Sequence, residues 1–405
     1  MTRLVRIVNR LNIGGPTFNV AYLTKYLAPK YQTDLIAGRL DEGEKSSAYI
    51  LDELGLAPIY AEHLCKEIRP GEDWRGYQEL KRLIAERNPT IVHTHASKSG
   101  ALGRLAAFAC KVPIVVHTYH GNYFNNTYFS PQKTQFLMAI DRYLARRSSA
   151  IVAISQLQYD DLVTHYRIAP AHKVHVVPNG FDLDRFQQQM DAKRADFRAK
   201  YHIAPDTVVV GHVGRFVPIK NHALFLEAYA QLRKQQTGPM VAVLVGDGEL
   251  RADVEAQIRA LGLRMQQGDV PPADGPADVI LTSWITQIDW ALAGMDVVAL
   301  SSLNEGTPVS LIEAQAAQRP VVSTDVGGVR DTIRHDVSGL AVPNQDAAAF
   351  AKAMGQLVQN EDLRHQMGQA GLEFVGKKYS YQRLVADMDA LYTELLAQHA
   401  AKKRR

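Results

Sequence analysis

Short apolar runs rich in β-branched residues alternate with helical stretches along both halves of this chain, and few architectures accept that pattern. In the first half the runs lie at 3–8, 33–37, 57–61, 90–95, 113–118, 150–154 and 174–177. In the second they start at or cover 208, 240–245, 279–282, 296–300, 321–323 and 340–342. A strand buried on both faces loses the in-out alternation of a half-exposed one, which is the mark of parallel sheets covered by crossover helices. The expected class is α/β, with two doubly wound sheets. A crossover at 179–186 separates an N-terminal domain, 1–183, from a C-terminal domain, 184–379. A long helix follows over 380–399. The basic tail 400–405, with Lys402, Lys403, Arg404 and Arg405, is expected to be disordered. The stretch 264–278, rich in Pro, Gly and Asp, reads as a surface loop.

A chain of 405 residues has room for two or three domains. Its two cysteines, Cys65 and Cys110, cannot build a disulfide scaffold, and no metal-binding cluster surrounds them. The opening MTRLVRIVNRL enters a strand directly, without the apolar core of a secretory signal. No run of about 18 apolar residues predicts a membrane-crossing helix. These features point to a reducing, cytoplasmic setting. A formal charge of +4 is too mild for a nucleic-acid binder, and no motif of that class is present. Basic residues recur on first-half helices: Arg75, Lys81, Arg82, Arg104, Arg142, Arg146 and Arg147. They fit either a solvated face or peripheral contact with the inner face of an anionic membrane.

Two strand–loop–helix junctions carry the chemistry. In SSLNEGTPVSLIEAQ, 301–315, a strand runs into a loop and then a helix from Val309. Gly306 permits close backbone approach, Thr307 suits the N-cap and Pro308 the first helical position. No Glu or Gln closes a capping box, so the amides of Val309, Ser310 and Leu311 are expected as free donors, a ready phosphate site. Glu305 and Glu313 flank it, and a carboxylate beside a phosphate needs another partner, such as sugar or ribose hydroxyls. In VVVGHVGRFVPIKN, 208–221, Arg215 and Lys220 sit on a glycine loop, where one fork-shaped and one point cation suit a diphosphate. Asp182 and Asp184 spell a D-x-D metal motif but lie in the crossover, so no metal and no other cofactor is expected.

Together these stretches resemble the retaining GT-B glycosyltransferases of family 4. The pattern G-R-x-x-x-x-K-N followed by E-G-x-P-x-x-x-x-E stands here as 214–221 and 305–313. Lesser matches are Val245-Gly246-Asp247-Gly248, Pro178-Asn179-Gly180 with Asp182, and Asp325-Val326-Gly327-Gly328. One departure is Ser283 before Trp284, where the family usually has glycine. The resemblance implies two Rossmann-like domains facing a central cleft, the 380–399 helix packing back on the first, and Gly14 and Gly15 turned toward the donor diphosphate. It assigns Glu313 to ribose hydroxyls, Glu305 to sugar hydroxyls and Gly246 to the donor pocket. His120 follows a strand's carboxyl end, where ligands of open α/β sheets bind. The family's Thr-x-His is matched by Thr118 and His120, which implies contact with the sugar; His95 and His117 rank behind it.

The implied reaction moves a hexose or N-acetylhexosamine, with retention, from a nucleotide-diphosphate sugar to a glycan, lipid-linked or small-molecule acceptor. A UDP-sugar is favoured, as is a role in cell-surface polysaccharide synthesis. The leaving phosphate gains charge as the glycosidic bond breaks, so Arg215, Lys220 and the helix terminus are placed where preorganised positive charge acts most. Two other classes share these features: a non-hydrolysing nucleotide-sugar epimerase, which needs no acceptor, and a non-catalytic nucleotide-sugar-binding subunit.

Overall fold

The computed structural model of the chain describes residues 1–12, 15–40, 46–65, 67–121, 124, 129–236 and 238–404. It divides into two units, Met1–Phe181 with Tyr379–Arg405, and Asp182–Lys378.

The first unit carries strands β1 (Thr2–Val8), β2 (Tyr31–Gly38), β3 (Ile59–Ala61), β4 (Ile91–His95), β5 (Ile114–Thr118), β6 (Ala150–Ala153) and β7 (Val174–Val176). They form one parallel sheet in the order β3-β2-β1-β4-β5-β6-β7. The second unit holds β8 (Val208–Val213), β9 (Met240–Val245), β10 (Met265–Gln267), β11 (Val279–Ser283), β12 (Val297–Leu300), β13 (Val321–Thr324) and β14 (Gly339–Val342). Its order is β10-β11-β9-β8-β12-β13-β14, again all parallel. The uniformly buried strands β4, β5, β6, β9, β12 and β13 are the unalternating runs read from the sequence. In each sheet the winding reverses beside the first strand, between β1 and β4 and between β8 and β12. Loops leaving the carboxyl ends at such a reversal diverge and leave a crevice for a ligand. The two motif loops, after β8 and after β12, flank the reversal of the second sheet.

Three expectations need correction. The stretch 264–278 is not all loop: Met265–Gln267 is the edge strand β10, paired with β11. Asp278 anchors it, accepting from Arg233 at 2.9 Å and Arg264 at 3.1 Å. The basic tail is not disordered where described, because the last helix, Tyr381–Lys403, continues through it. That helix buries Leu384, Met388, Leu391, Tyr392 and Leu395 against β1, β4, β5 and β6 of its own unit. The turn at Gly180 lets it approach, since a Cβ there would stand 2.7 Å from the Tyr381 Cα. Arg104 drops out of the basic surface. It is fully buried and pairs with Asp141 at 2.7 Å.

Candidate functional site

Backbone bonds sew the first motif loop in place. Gly214 N–H donates to the Val245 carbonyl at 3.0 Å, Phe216 to Asp247 at 2.9 Å, and Leu250 to Phe216 at 3.0 Å. Gly246 and Gly248 make this contact possible. A Cβ on either would overlap a carbonyl oxygen, that of Gly214 at 1.9 Å or of Phe216 at 2.5 Å. The second loop is tied to the first by Ser301, whose hydroxyl donates to the Lys220 and Asn221 carbonyls at 3.1 and 2.9 Å, and by Leu303 N–H to Ile219 at 2.8 Å. Gly327 and Gly328 support it from below. The Gly328 amide donates to the Glu305 carbonyl at 2.8 Å, and a Cβ on Gly328 would lie 1.6 Å from the Gly306 oxygen. The Asp325-Val326-Gly327-Gly328 motif is thus a floor for the Glu305–Gly306 backbone. Gly306 itself has open space where its Cβ would be.

This scaffold brings the two motifs' charged side chains together. The Lys220 ammonium lies 2.5 Å from Glu305 Oε1, and the Ser302 hydroxyl donates to the same oxygen at 2.6 Å. Glu305 Oε2 has no partner among the described residues, so one carboxylate oxygen is held and the other is available. Lys220 keeps two further N–H donors. Arg215 is exposed, and its guanidinium makes no ion pair or hydrogen bond among the described residues. A free guanidinium and a carboxylate-aligned ammonium on one loop are chemically suited to a polyanion that also carries hydroxyls.

The helix Val309–Ala316 differs from expectation at its start. Pro308, not Thr307, is the N-cap, with no side-chain cap, and the Leu311 amide is taken by the Pro308 carbonyl at 3.1 Å. That i+3 bond tightens the first turn. Val309 and Ser310 amides remain without acceptors among the described residues. Glu313 is partly buried, its carboxyl has no hydrogen bond or ion pair among them, and burial raises it to about 7, against a lowering pull from Arg185 and a further push from Asp289. A carboxyl desolvated this strongly beside the motif loops is a functional-site candidate.

In the first unit, Gly14 lies outside the described residues, as does most of the loop 119–128; Gly15 opens the helix Gly15–Tyr26. Asn19 of that helix donates to Asn179 at 3.0 Å, which ties down the Pro178-Asn179-Gly180 turn. His120 Nε2 faces His95 Nδ1 at 3.0 Å, and burial lowers the His120 imidazole to about 4, so it is neutral near pH 7. His95 therefore supports the His120 ring directly, a pairing that 25 residues of separation hide. His117 serves structure, bonded to Thr94 at 2.9 Å. Ser283, the departure from the family glycine, sits at φ 60°, a left-handed conformation that glycine adopts without strain. Asp182 accepts from the Asp184 amide at 3.2 Å, a local turn contact.

The chain's similarity to known proteins runs along both units. A glycosyl transferases group 1 family model matches residues 193–374, and a glycosyltransferase family 4 model matches 13–185. A D-inositol 3-phosphate glycosyltransferase of Jonesia denitrificans is 32% identical over 349 residues, 82% of this chain and 78% of that one. The UDP-Gal:alpha-D-GlcNAc-diphosphoundecaprenol alpha-1,3-galactosyltransferase of Escherichia coli is 28% identical over 324 residues, covering 79% and 80%. Among solved structures, Anabaena HepE in complex with UDP superposes with a TM-score of 0.80 at 17% identity, over 97% of this chain and all of that one. Shared fold, matched motifs and relatives agree: the chain belongs to the family 4, group 1 glycosyltransferases and is a GT-B enzyme.

Proposed function

We propose that this glycosyltransferase moves a hexose or N-acetylhexosamine from a UDP-sugar to a glycan or lipid-linked acceptor, with retention and without a metal. The observation that carries the reading is the Lys220–Glu305–Ser302 cluster beside free Arg215 and the unbonded amides of Val309 and Ser310. Cations and amides would take the diphosphate, Glu305 Oε2 a sugar hydroxyl, and Glu313 the ribose. His120 is assigned to the sugar by the family resemblance alone. Positive charge fixed in place before reaction stabilises the leaving diphosphate without reorganisation, the role a divalent cation plays elsewhere. The E. coli relative's name specifies a UDP-sugar and a diphospholipid acceptor, and HepE was solved with UDP and with UDP-glucose. A panel of UDP-, GDP- and ADP-sugars in excess EDTA tests the donor class, read by thermal shift and product formation. UDP-sugars are expected to raise the melting temperature and turn over. A strict Mg²⁺ or Mn²⁺ requirement for chemistry contradicts the metal-free part, and turnover without acceptor to an epimerised donor contradicts transfer.

A lipid-linked acceptor gives a use to one face of the helix Pro131–Arg147. Phe136 is 65% exposed and Tyr143 50%, one heptad apart, and Lys133, Arg146 and Arg147 are exposed beside them. Aromatic rings with cations suit the headgroup region of an anionic bilayer, where each Lys or Arg contributes about 1 kcal/mol. No helix among the described residues is long and apolar enough to cross a membrane. Co-sedimentation with anionic liposomes at low salt is expected, with clear weakening in Phe136→Ser/Arg147→Ser. Equal recovery with neutral and anionic vesicles removes the idea.

A further inference from the structure

At the amino ends of β12 and β13, the end of the second sheet away from the motif loops, lies a cavity of about 390 Å³. It opens between the helices Met190–Lys200 and Glu361–Tyr379, and Arg194, Arg319 and Arg364 line it. Asp296, a partly buried carboxylate that also lines the cavity, is already committed. It accepts from Arg194 at 2.6 Å, Arg198 at 2.7 Å and the Val209 amide at 2.7 Å. Arg364 donates to the Leu357 and Val358 carbonyls at 2.8 and 2.9 Å.

Arg319 is different. Its guanidinium has no hydrogen bond or ion pair among the described residues, and its Nε is shut away from solvent. It is not capping the preceding helix, since those carbonyls have other donors. Ala314 accepts from the Arg319 amide at 2.8 Å, Gln315 from the Gln318 amide at 3.0 Å, and Ala316 from the Gln187 side chain. Burial, with repulsion from Arg194 and Arg198, lowers its pKa to about 10 despite the pull of Asp296 and, more weakly, of Asp191. Asp191 and Glu361 also line the cavity, but both are exposed. A partly buried cation crowded by like charge is unfavourable unless an anion answers it.

We propose that this cavity binds a phosphate group, free or carried on a small metabolite, at a site separate from the donor site. Forked guanidiniums match phosphate oxygens in pairs, and Arg319 and Arg364 retain unused N–H donors on the wall. The helix Val309–Ala316 spans the two places: its amino end adjoins the motif loops and its carboxyl end leads into the Ala317–Pro320 wall of the cavity.

Calorimetry on the full chain with inorganic phosphate tests this, with UDP saturating so that phosphate cannot report on the donor site. Wild type is expected to bind phosphate, and Arg319→Gln at least about tenfold more weakly, as for loss of one charge-assisted pair. UDP affinity should be the same in both. Arg319→Lys keeps the charge without the fork and is expected to fall between them, which covers a glutamine variant that folds poorly. Glucose 6-phosphate that displaces phosphate at lower concentration identifies a carried group; weaker competition identifies the free ion. No phosphate binding by UDP-loaded wild type, or equal affinity in Arg319→Gln and wild type, overturns the site. If UDP fails to bind, the donor assignment fails, and the comparison of Arg319 variants with phosphate still decides the cavity.

Discussion

Lys220→Ala is expected to lower kcat by a factor of about 10² to 10³, or roughly 3 to 4 kcal/mol of transition-state stabilisation, the scale of one preorganised donor. Two losses combine. The ammonium no longer meets the leaving diphosphate, and Glu305, whose side chain is only 10% exposed, loses the cation that holds its Oε1. An orphaned, largely buried carboxylate repels the same diphosphate, so the effect should exceed that of Arg215→Ala, which leaves the Glu305 pair intact. Glu305→Gln separates the two terms. It frees the ammonium, so UDP affinity should stay close to wild type while kcat falls, because the lost contact matters most as the sugar distorts. Steady-state kinetics at saturating donor, with UDP calorimetry on all three variants, reads the pattern. A near-wild-type kcat for Lys220→Ala removes the diphosphate assignment.

The Lys220–Glu305 pair also shows what a sequence yields and what it withholds. Both residues stood out in their own motifs, because glycine loops after buried β-branched strands have a strong local signature. Their contact spans 85 positions and exists only because β8 and β12 are neighbours in the sheet. Strand order is a tertiary property, and adjacent buried runs do not encode it. The same holds for His95 against His120, whose strands β4 and β5 lie side by side. The cap falls on Pro308 and not Thr307 for a local reason: Thr-Pro fits a cap followed by a first helical residue as well as it fits a loop followed by a proline cap. The Gly327–Gly328 floor has a local motif, but its role depends on the Glu305 carbonyl and Gly306 backbone packed against it, some twenty residues away in sequence. Arg104, counted as surface charge, was hidden by Asp141 on another helix. Composition cannot tell a solvated arginine from one with a buried partner.

Glu313→Gln is expected to stabilise the free protein and impair it as an enzyme, and the two effects should depend on pH in a particular way. The carboxyl is raised from its usual 4.5 to about 7, chiefly because burial disfavours the charged form. Between those values the folded state holds a proton that the unfolded state has lost, so stability falls as pH rises from about 4.5 through 7. At pH 8 the full cost is present. Glutamine, which carries no charge, should therefore raise unfolding free energy there by up to about 2 to 3 kcal/mol, and by little at pH 4. Partial exposure makes the lower figure the better expectation. Binding should run the other way. A ribose donates its hydroxyl protons best to a carboxylate, so UDP affinity of the wild type should climb between pH 6 and 8 as Glu313 ionises. The Gln variant should bind UDP at least about tenfold more weakly at pH 8, with no such slope, as for loss of a charged hydrogen-bond acceptor. Denaturant melts and UDP calorimetry across pH 5 to 8 measure both arms. A variant that gains stability yet keeps full UDP affinity would show that Glu313 is a buried acid without a ligand, and would move the ribose elsewhere on the crevice.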